Sequence, residues 1–455
     1  MLAIFVGGYS SLSLELIVLR QLSSFVGTTT ITVSIVMGTI LAFMSWGYYR
    51  GSTEKITQTS LRRQASRGFL IIALLTVLAS SYLLMDLYFQ LLNSIKITSN
   101  IVQTIVYSLI FLSFAPYLFG KITAMLSRYL HYNDPNYTGK IMAIDTVGSV
   151  CGSLFTTLLI MPFIGVNYTI VTLVLITAAT AYSLSKTHVN DIVAIISILF
   201  MSICFNQSKM LKDTYGIIEN NAVATISVFN TDDDKSKMLI INGSPSSKIS
   251  AEHDLNFKYI NFINDNFIDT LPSEKTSDIL IVGAGGFTVG LNDTRNNYVY
   301  VDVDKNLKRI TEEDFLGKKL EKNKKFVVQD ANQFLKESEQ KYDLIVLDTY
   351  SSLHYIPMEL VTYEYFQRAK KNLKENGILV LNAITTPDFA DDFAMNLDNT
   401  LRKVFPNNLR AQSMYDFNPW EDDTKNNIIY TYYNRKNPNE IYSINKNASF
   451  YDFEM

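Results

Sequence analysis

The chain has 455 residues, of which 48% are hydrophobic and 18% charged, and its formal net charge is −3 at pH 7. This length allows two or three domains, and the net acidity argues against the broad basic surface that nucleic-acid binding requires. Only two cysteines are present, Cys151 and Cys204, both in apolar segments, which excludes a disulfide framework and a thiolate metal site.

Charge is distributed unevenly along the chain. The first 207 residues contain 11 basic and 6 acidic side chains, whereas the remaining 248 contain 29 and 37. Long apolar runs fill the charge-poor part, so the two parts are expected to fold in different surroundings, a lipid bilayer and water. The excess of acidic residues in the second part favours a cationic partner and disfavours nucleic acid.

Seven segments of the first part are apolar enough, and most are long enough, to cross a hydrocarbon core about 30 Å thick as helices. The segments are 2–23, 29–49, 69–92, 101–118, 141–163, 168–183 and 192–205. The sequence therefore predicts a multispan α-helical membrane domain over residues 1–207.

Ionisable side chains inside these segments are Glu15, Arg20, Asp86 and Asp145. Charged groups at membrane depth are energetically unfavourable unless they pair or serve a function, so both pairing inside the bundle and a substrate path stay open. The glycines of the G-x-x-x-G pattern at 148–152 favour close helix packing.

From residue 208 the periodicity changes. Strand patterns at 222–229 and 238–242 flank a polar loop and predict a β-hairpin subdomain over 208–250. A helix near 253–268 is then followed by strand patterns alternating with helical ones. These strands, at 278–282, 298–302, 325–328, 343–347 and 378–382, predict a Rossmann-like parallel sheet over 251–440, with a C-terminal tail at 441–455.

Ligands of such sheets bind at the carboxyl ends of the strands. There the sequence places Gly283 and Gly285 after the first strand, Asp302 at the end of the second, Asp330 after the third and Asp348 after the fourth. Any one of these acids could be a helix N-cap, but a glycine turn followed by a series of strand-end acids is typical of S-adenosyl-binding folds. The chain has no Lys-Ser/Thr phosphate loop and no histidine cluster, so neither ATP chemistry nor a metal site is predicted.

These motifs resemble the spermidine synthase family, the polyamine aminopropyltransferases, from about Ala222 to Asn382 and more loosely to Arg435. The apolar part is similar to the multispan modules fused to bacterial spermidine synthase domains.

The resemblance implies that decarboxylated S-adenosylmethionine binds with its ribose on Asp302 and its adenine near Asp330 and Ala331. It also implies that Asp348 activates the attacking amine and that Tyr259 matches the tyrosine of the family's Tyr-His-Glu element. A homodimer is implied as well.

The chain departs from the family where the amine should bind. Ile260 and Asn261 replace the histidine and glutamate, Gly286 stands where the glycine loop usually offers an aspartate, and no second acid follows Asp348. Candidates to replace the missing groups are Asp254, Tyr350, Tyr355, Glu359 and Glu364. For Tyr350 and Tyr355, substrate contact and plain packing both stay open.

The sequence thus favours a membrane-bound transferase that moves an aminopropyl group from decarboxylated S-adenosylmethionine to a polyamine such as putrescine. Two alternatives remain: a methyltransferase that uses S-adenosylmethionine, and a non-enzymatic polyamine sensor or transporter.

Orientation in the membrane is a point of conflict. Lys and Arg concentrate in the loops after the second, fourth and sixth segments, and the positive-inside rule predicts that these loops are cytoplasmic. If all seven segments cross, the domain that follows them then lies on the opposite side of the membrane. Because S-adenosyl compounds are expected in the cytoplasm, we nevertheless expect a multi-pass protein of the bacterial inner membrane with a cytoplasmic catalytic domain.

Overall fold

The computed structural model describes residues 1–27, 29–54, 57–133, 137–185, 189–231, 236–250, 257–349, 357–386, 391–414 and 426–435. The chain divides into two compact units, Met1–Ala251 and Glu252–Tyr350 with Ile356–Met455. The domain boundaries expected from the sequence stay predictions.

The described part of the first unit is mostly helical. Its α-helices are α1 (Leu2–Val26), α2 (Thr30–Thr53), α3 (Gln58–Ser80), α4 (Tyr82–Ser94), α5 (Asn100–Phe111), α6 (Phe114–Asn133), α7 (Tyr137–Phe155), α8 (Met161–Leu184), α9 (Val189–Asn206) and α10 (Ser208–Tyr215), and a π-helical turn (Thr156–Ile160) joins α7 to α8. By length and composition, four helical runs could cross a membrane, or up to six if the bent pairs α3/α4 and α5/α6 each count as one.

The fifth and sixth segments of the sequence prediction lie in one helical run, Thr138–Leu184, of 47 residues. At 1.5 Å per residue such a run is about 70 Å long, more than twice the thickness of a hydrocarbon core. Gly165 interrupts it with non-helical angles, φ 76° and ψ 169°. The run therefore has room for two crossings with the turn at Gly165 between them, and the seven crossings stay a prediction.

Helices α1 and α7 approach each other so closely that only glycine fits at several contacts. A Cβ on Gly148 would overlap the backbone of Phe5, and one on Gly152 would overlap that of Tyr9. The G-x-x-x-G pattern therefore has the packing role that the sequence favoured, because small residues let helix backbones come together.

Replacing Gly148 with alanine is expected to destabilise the first unit by about 1–3 kcal/mol, because the new methyl group forces α1 and α7 apart. Gly38→Ala in α2 is the matched control, since a Cβ there has no neighbour within 4 Å. Thermal unfolding of the detergent-solubilised chain measures both variants. Equal melting temperatures for the two would contradict the close contact.

A small antiparallel sheet completes the first unit. Its strands, in the order β1-β2-β3-β4, are β1 (Ile217–Asn220), β2 (Thr225–Asn230), β3 (Ser236–Ile241) and β4 (Ser244–Ser250). The predicted hairpin is β2–β3, and the prediction was incomplete because β1 is only four residues long and β4 is mostly polar. Neither strand therefore shows a clear apolar alternation in sequence.

Arg20 lies where α1 meets this sheet. Its Nε donates to the carbonyl oxygen of Asn221 at 2.8 Å, and the neighbouring Gln21 accepts from Asn220 Nδ2 at 3.0 Å. The hydroxyl groups of Ser24 and Thr225 are 2.9 Å apart. Of the two interpretations of Arg20, the structure thus supports pairing within the fold.

The second unit is an α/β domain. Its seven-stranded sheet has the order β10-β11-β9-β8-β5-β6-β7, with β5 to β9 parallel and β11 antiparallel to both neighbours. The strands are β5 (Asp278–Val282), β6 (Asn297–Asp302), β7 (Lys324–Val328), β8 (Tyr342–Leu347), β9 (Leu373–Thr385), β10 (Leu409–Met414) and β11 (Asn426–Tyr433). The helices are α11 (Lys258–Ile263), α12 (Leu307–Ile310), α13 (Ala331–Glu337), α14 (Tyr363–Lys371) and α15 (Asp392–Val404), with π-helical turns at Asn264–Ile268 and Thr311–Phe315 and a 3-10 turn at Met358–Leu360.

The five strands predicted from sequence correspond to β5 to β9, and the parallel sheet is confirmed. The two additional strands, β10 and β11, form an antiparallel edge that buries Ile428 and Tyr430 in the core beside β9. In this mixed, doubly wound sheet the strand order reverses at β5, with β6 on one side and β8 on the other. Ligands of such sheets bind at the reversal point.

Candidate active site

The strand order places a crevice at the carboxyl ends of β5 and β8. From β5 the chain runs outward in one direction through β6 and β7, and then returns to the other side of β5 as β8. In open α/β sheets, ligands bind at such a reversal point. The residues at or directly after the carboxyl ends of β5, β6 and β8 therefore form the candidate site.

The glycine turn after β5 approaches β8 closely. Gly283 has φ 88° and Gly285 φ 49°, both in the region that favours glycine. A Cβ on Gly283 would also overlap the carbonyl oxygen of Asp348. The absence of a side chain at this position thus brings the ends of β5 and β8 together and leaves backbone available to a ligand.

Asp302, half-buried at the end of β6, joins this turn to its own strand. One carboxylate oxygen accepts the backbone N–H of Ala284 at 3.2 Å, and the other accepts that of Asp304 at 3.1 Å. Burial raises the pKa of Asp302, and these backbone hydrogen bonds act in the opposite direction. A carboxylate has about four acceptor positions, so it can also receive ribose hydroxyls.

Asp330 follows β7 and is the N-cap of α13. Its side chain is exposed and accepts the backbone N–H of Gln333 at 2.8 Å. The adjacent Ala331 is buried, and Gln329 donates its backbone N–H to the carbonyl oxygen of Asp302 at 2.9 Å. The N-cap role is thus realised for Asp330, and its predicted contact with adenine stays a prediction.

Asp348 is held by side chains from two other elements. The Tyr259 hydroxyl, on α11, donates to one carboxylate oxygen at 3.0 Å, and Asn382 Nδ2, on β9, donates to the other at 2.9 Å. Tyr259 and Asn382 are buried, whereas Asp348 is half-buried. Burial raises the pKa of Asp348, and the two hydrogen bonds lower it. The carboxylate is therefore oriented and has a higher proton affinity than an ordinary aspartate.

The residues expected to bind the amine are placed less completely. Tyr350, Tyr355 and Asp254 lie outside the described residues. Glu359 and Glu364 are exposed. Tyr259 contacts Asp348, whereas its match to the family's tyrosine and the replacements for the missing acids stay predictions.

Asn382 is the site residue that the sequence interpretation missed. It was recognised only as the last residue of a strand pattern. Its position could have indicated a site residue, because Asn382 ends the predicted strand 378–382, and the carboxyl ends of parallel strands meet at one edge of the sheet. Among the described residues, no group of three or more His, Cys, Asp or Glu could hold a metal ion.

Comparison with known proteins finds a family model that matches part of the second unit. Residues 258–415 match the spermine/spermidine synthase domain. This part of the chain is therefore similar to that domain. The matched residues include Tyr259, Asp302, Asp348 and Asn382.

Individual relatives match the same part of the chain. A polyamine aminopropyltransferase of Saccharolobus solfataricus is 28% identical over 177 residues, and one of Sulfolobus acidocaldarius is 29% identical over 180 residues. These matches cover 37% and 38% of this chain and 57% of each relative. A probable spermidine synthase from Corynebacterium glutamicum superimposes with a TM-score of 0.40 at 22% identity, over 49% of this chain and 80% of that one.

Proposed function

We propose that the chain is a membrane-bound aminopropyltransferase that moves an aminopropyl group from decarboxylated S-adenosylmethionine to a polyamine such as putrescine. The observation that carries this proposal is the Asp348 carboxylate, held by Tyr259 and Asn382 beside the glycine turn. The synthase domain and the aminopropyltransferases that match it support the same chemistry.

The donor supplies a carbon activated by a neighbouring sulfonium. Asp302 and the turn at Gly283 and Gly285 are suited to hold its nucleoside, because they combine a hydroxyl-accepting carboxylate with open backbone. No metal enters the proposed reaction.

Asp348 acts on the acceptor. An ammonium group binds to the carboxylate, loses a proton to it and becomes a neutral amine, which is the form that carries a lone pair. The nitrogen then attacks the carbon next to the sulfonium, a C–N bond forms, the C–S bond breaks, and the sulfur leaves as a neutral thioether. Tyr259 and Asn382 keep the carboxylate oxygens fixed, which positions the amine in line with the breaking bond.

Methyl transfer from S-adenosylmethionine is the second candidate. It is favoured by the loss of two acids that the family resemblance leads one to expect: Asn261 stands in place of a glutamate, and Gly286 stands in place of an aspartate. Each lost charged hydrogen bond weakens polycation binding by about 1.5–3 kcal/mol.

One experiment separates the candidates. The purified full-length protein is incubated with decarboxylated S-adenosylmethionine or with S-adenosylmethionine, in the presence of putrescine or spermidine, and products are identified by mass spectrometry. We expect an added aminopropyl group with the decarboxylated donor alone. Methylation would instead support the second candidate, and donor binding without any product would support a sensor or transporter.

Removal of the Tyr259 hydroxyl is expected to shift the pH dependence of the reaction. Burial raises the pKa of Asp348 above the usual 3.8, and the hydrogen bond from Tyr259 opposes that increase. Since the base form of Asp348 is needed, activity is lost as pH falls through this pKa. In Tyr259→Phe the pKa rises further, so the acid limb of kcat/KM should move to higher pH. Tyr363→Phe is the control, because Tyr363 is an exposed tyrosine. If the acid limb of kcat/KM stays at the same pH in Tyr259→Phe, the proposed effect of Tyr259 on the pKa of Asp348 is wrong.

We also propose that the first unit lies in the bacterial inner membrane and that the synthase domain faces the cytoplasm, where its donor is expected. The positive-inside rule favours the opposite face if all seven segments cross. A reporter fused after Met455 decides between them: activity of a cytoplasm-specific reporter supports the proposal, and activity of a reporter that works only outside the cytoplasm overturns it. The predicted homodimer stays a prediction.

A further inference from the structure

A cavity of about 920 Å³ opens in the first unit. It lies between the first turns of α3, the C-terminal end of α8 and the start of α9. Among the described residues, its charged lining consists of Arg62, Arg63, Arg67 and Asp191. Three arginines and one acid give the lining a net positive charge.

Arg62 is fixed at the wall of this cavity. Its Nε donates to the carbonyl oxygen of Leu184 at 2.9 Å, and its Nη2 donates to that of Ser183 at 3.1 Å. A guanidinium has five N–H groups, so three remain available for an anion. The carbonyl groups at the end of α8 thus fix the Arg62 guanidinium in the absence of a ligand.

Arg63 and Arg67 lie four residues apart on one face of α3, and both are exposed. Like charges at this spacing repel each other and destabilise the helix. Within the described part of the chain, no hydrogen bond or salt bridge joins either guanidinium to an acceptor. Asp191, the acid among the described lining residues, accepts a hydrogen bond from Ser185 Oγ at 2.5 Å. An anion bound between the arginines would relieve their repulsion.

Exposed apolar side chains border the charged lining. Ile71, one turn beyond Arg67 on α3, is 39% exposed, and Val189 and Val193 on α9 are 73% and 56% exposed. The apolar part of α3 begins at Phe69, directly after the arginines. A ligand with a phosphate at one end and hydrocarbon at the other matches this surface, whereas a free phosphate would leave the apolar border unused.

We propose that this cavity binds the headgroup of an anionic phospholipid. The phosphate contacts Arg62, Arg63 and Arg67, and the acyl chains extend along Ile71 and Val193. Arginine suits such a site because its planar donors match the oxygens of a phosphate. Basic cavities between helices at the membrane surface are suited to acidic lipid headgroups.

The test uses the full-length chain in detergent and measures bound lipid by native mass spectrometry. Phosphatidylglycerol is compared with phosphatidylcholine, and inorganic phosphate is added as a competitor. We expect selective retention of phosphatidylglycerol, with affinity about fivefold weaker in Arg63→Gln and in Arg67→Gln, since each basic residue contributes about that factor at an anionic surface. Inorganic phosphate at an equal concentration should not displace the lipid.

Arg50→Gln is the matched control, because Arg50 is an exposed arginine in the last turn of α2 that does not line the cavity. It removes the same charge and should leave lipid binding unchanged. The proposal is overturned if Arg63→Gln and Arg67→Gln bind phosphatidylglycerol as the unchanged chain does, or if Arg50→Gln weakens binding equally. It is also overturned if inorganic phosphate displaces the lipid completely, which would identify a soluble anion as the ligand.

Discussion

Replacement of Asp348 by asparagine is expected to lower kcat by about 10²–10⁴-fold, the usual contribution of a positioned general base. Asparagine has nearly the same shape, so its carbonyl oxygen can accept from Asn382 while its amide donates to the Tyr259 hydroxyl oxygen, with the direction of that hydrogen bond reversed. It cannot, however, take a proton from the ammonium group at neutral pH. Steady-state kinetics with decarboxylated S-adenosylmethionine and putrescine measure the loss, and calorimetric titration measures donor affinity.

Donor affinity should change little in Asp348→Asn, because we propose that Asp302 and the glycine turn contact the nucleoside. Asp265→Asn is the control for a general effect of charge loss, since Asp265 is an exposed acid of the same unit. Wild-type turnover in Asp348→Asn would remove this carboxylate from the mechanism. Loss of donor binding together with turnover would instead assign it to the nucleoside site.

Replacement of Gly283 by alanine is expected to destabilise the second unit by several kcal/mol and to abolish activity. Two effects add: φ 88° is unfavourable for a residue with a Cβ, and the new methyl group would overlap the carbonyl oxygen of Asp348. The methyl group is therefore expected to push the residue that follows β8, Asp348, away from the end of β5. Thermal unfolding and turnover of the full-length protein measure the two consequences.

Gly317→Ala separates these effects. Gly317 also has a positive φ, 67°, but a Cβ there meets nothing within 4 Å. Its replacement should cost about 1 kcal/mol and leave turnover unchanged. If Gly283→Ala were no more destabilising than Gly317→Ala, the close approach of the two strand ends would be wrong.

The two units were predictable from sequence to different extents. In the second unit, β5 to β9 could be located because each strand contains a local apolar run. Once the strands were predicted, the sequence also showed which acidic residues lie at their ends. In the first unit, apolar length located the helical segments but not their bends, since α3/α4 and α5/α6 turn by 58° and 44° within continuous apolar sequence. Bends depend on packing between helices, which no local pattern reports.

The sequence by itself determined the contrast between an apolar helical part and a charged α/β part, the glycine turn at Gly283, and the strand-end acids, because all of these follow from composition and short-range periodicity. Only the tertiary structure brought Tyr259 and Asn382, which are 89 and 34 residues away from Asp348 in sequence, onto its carboxylate. It likewise joined Arg62 to the end of α8, 122 residues away. Such contacts depend on strand order and helix packing, and these are set by the burial of whole surfaces along the chain.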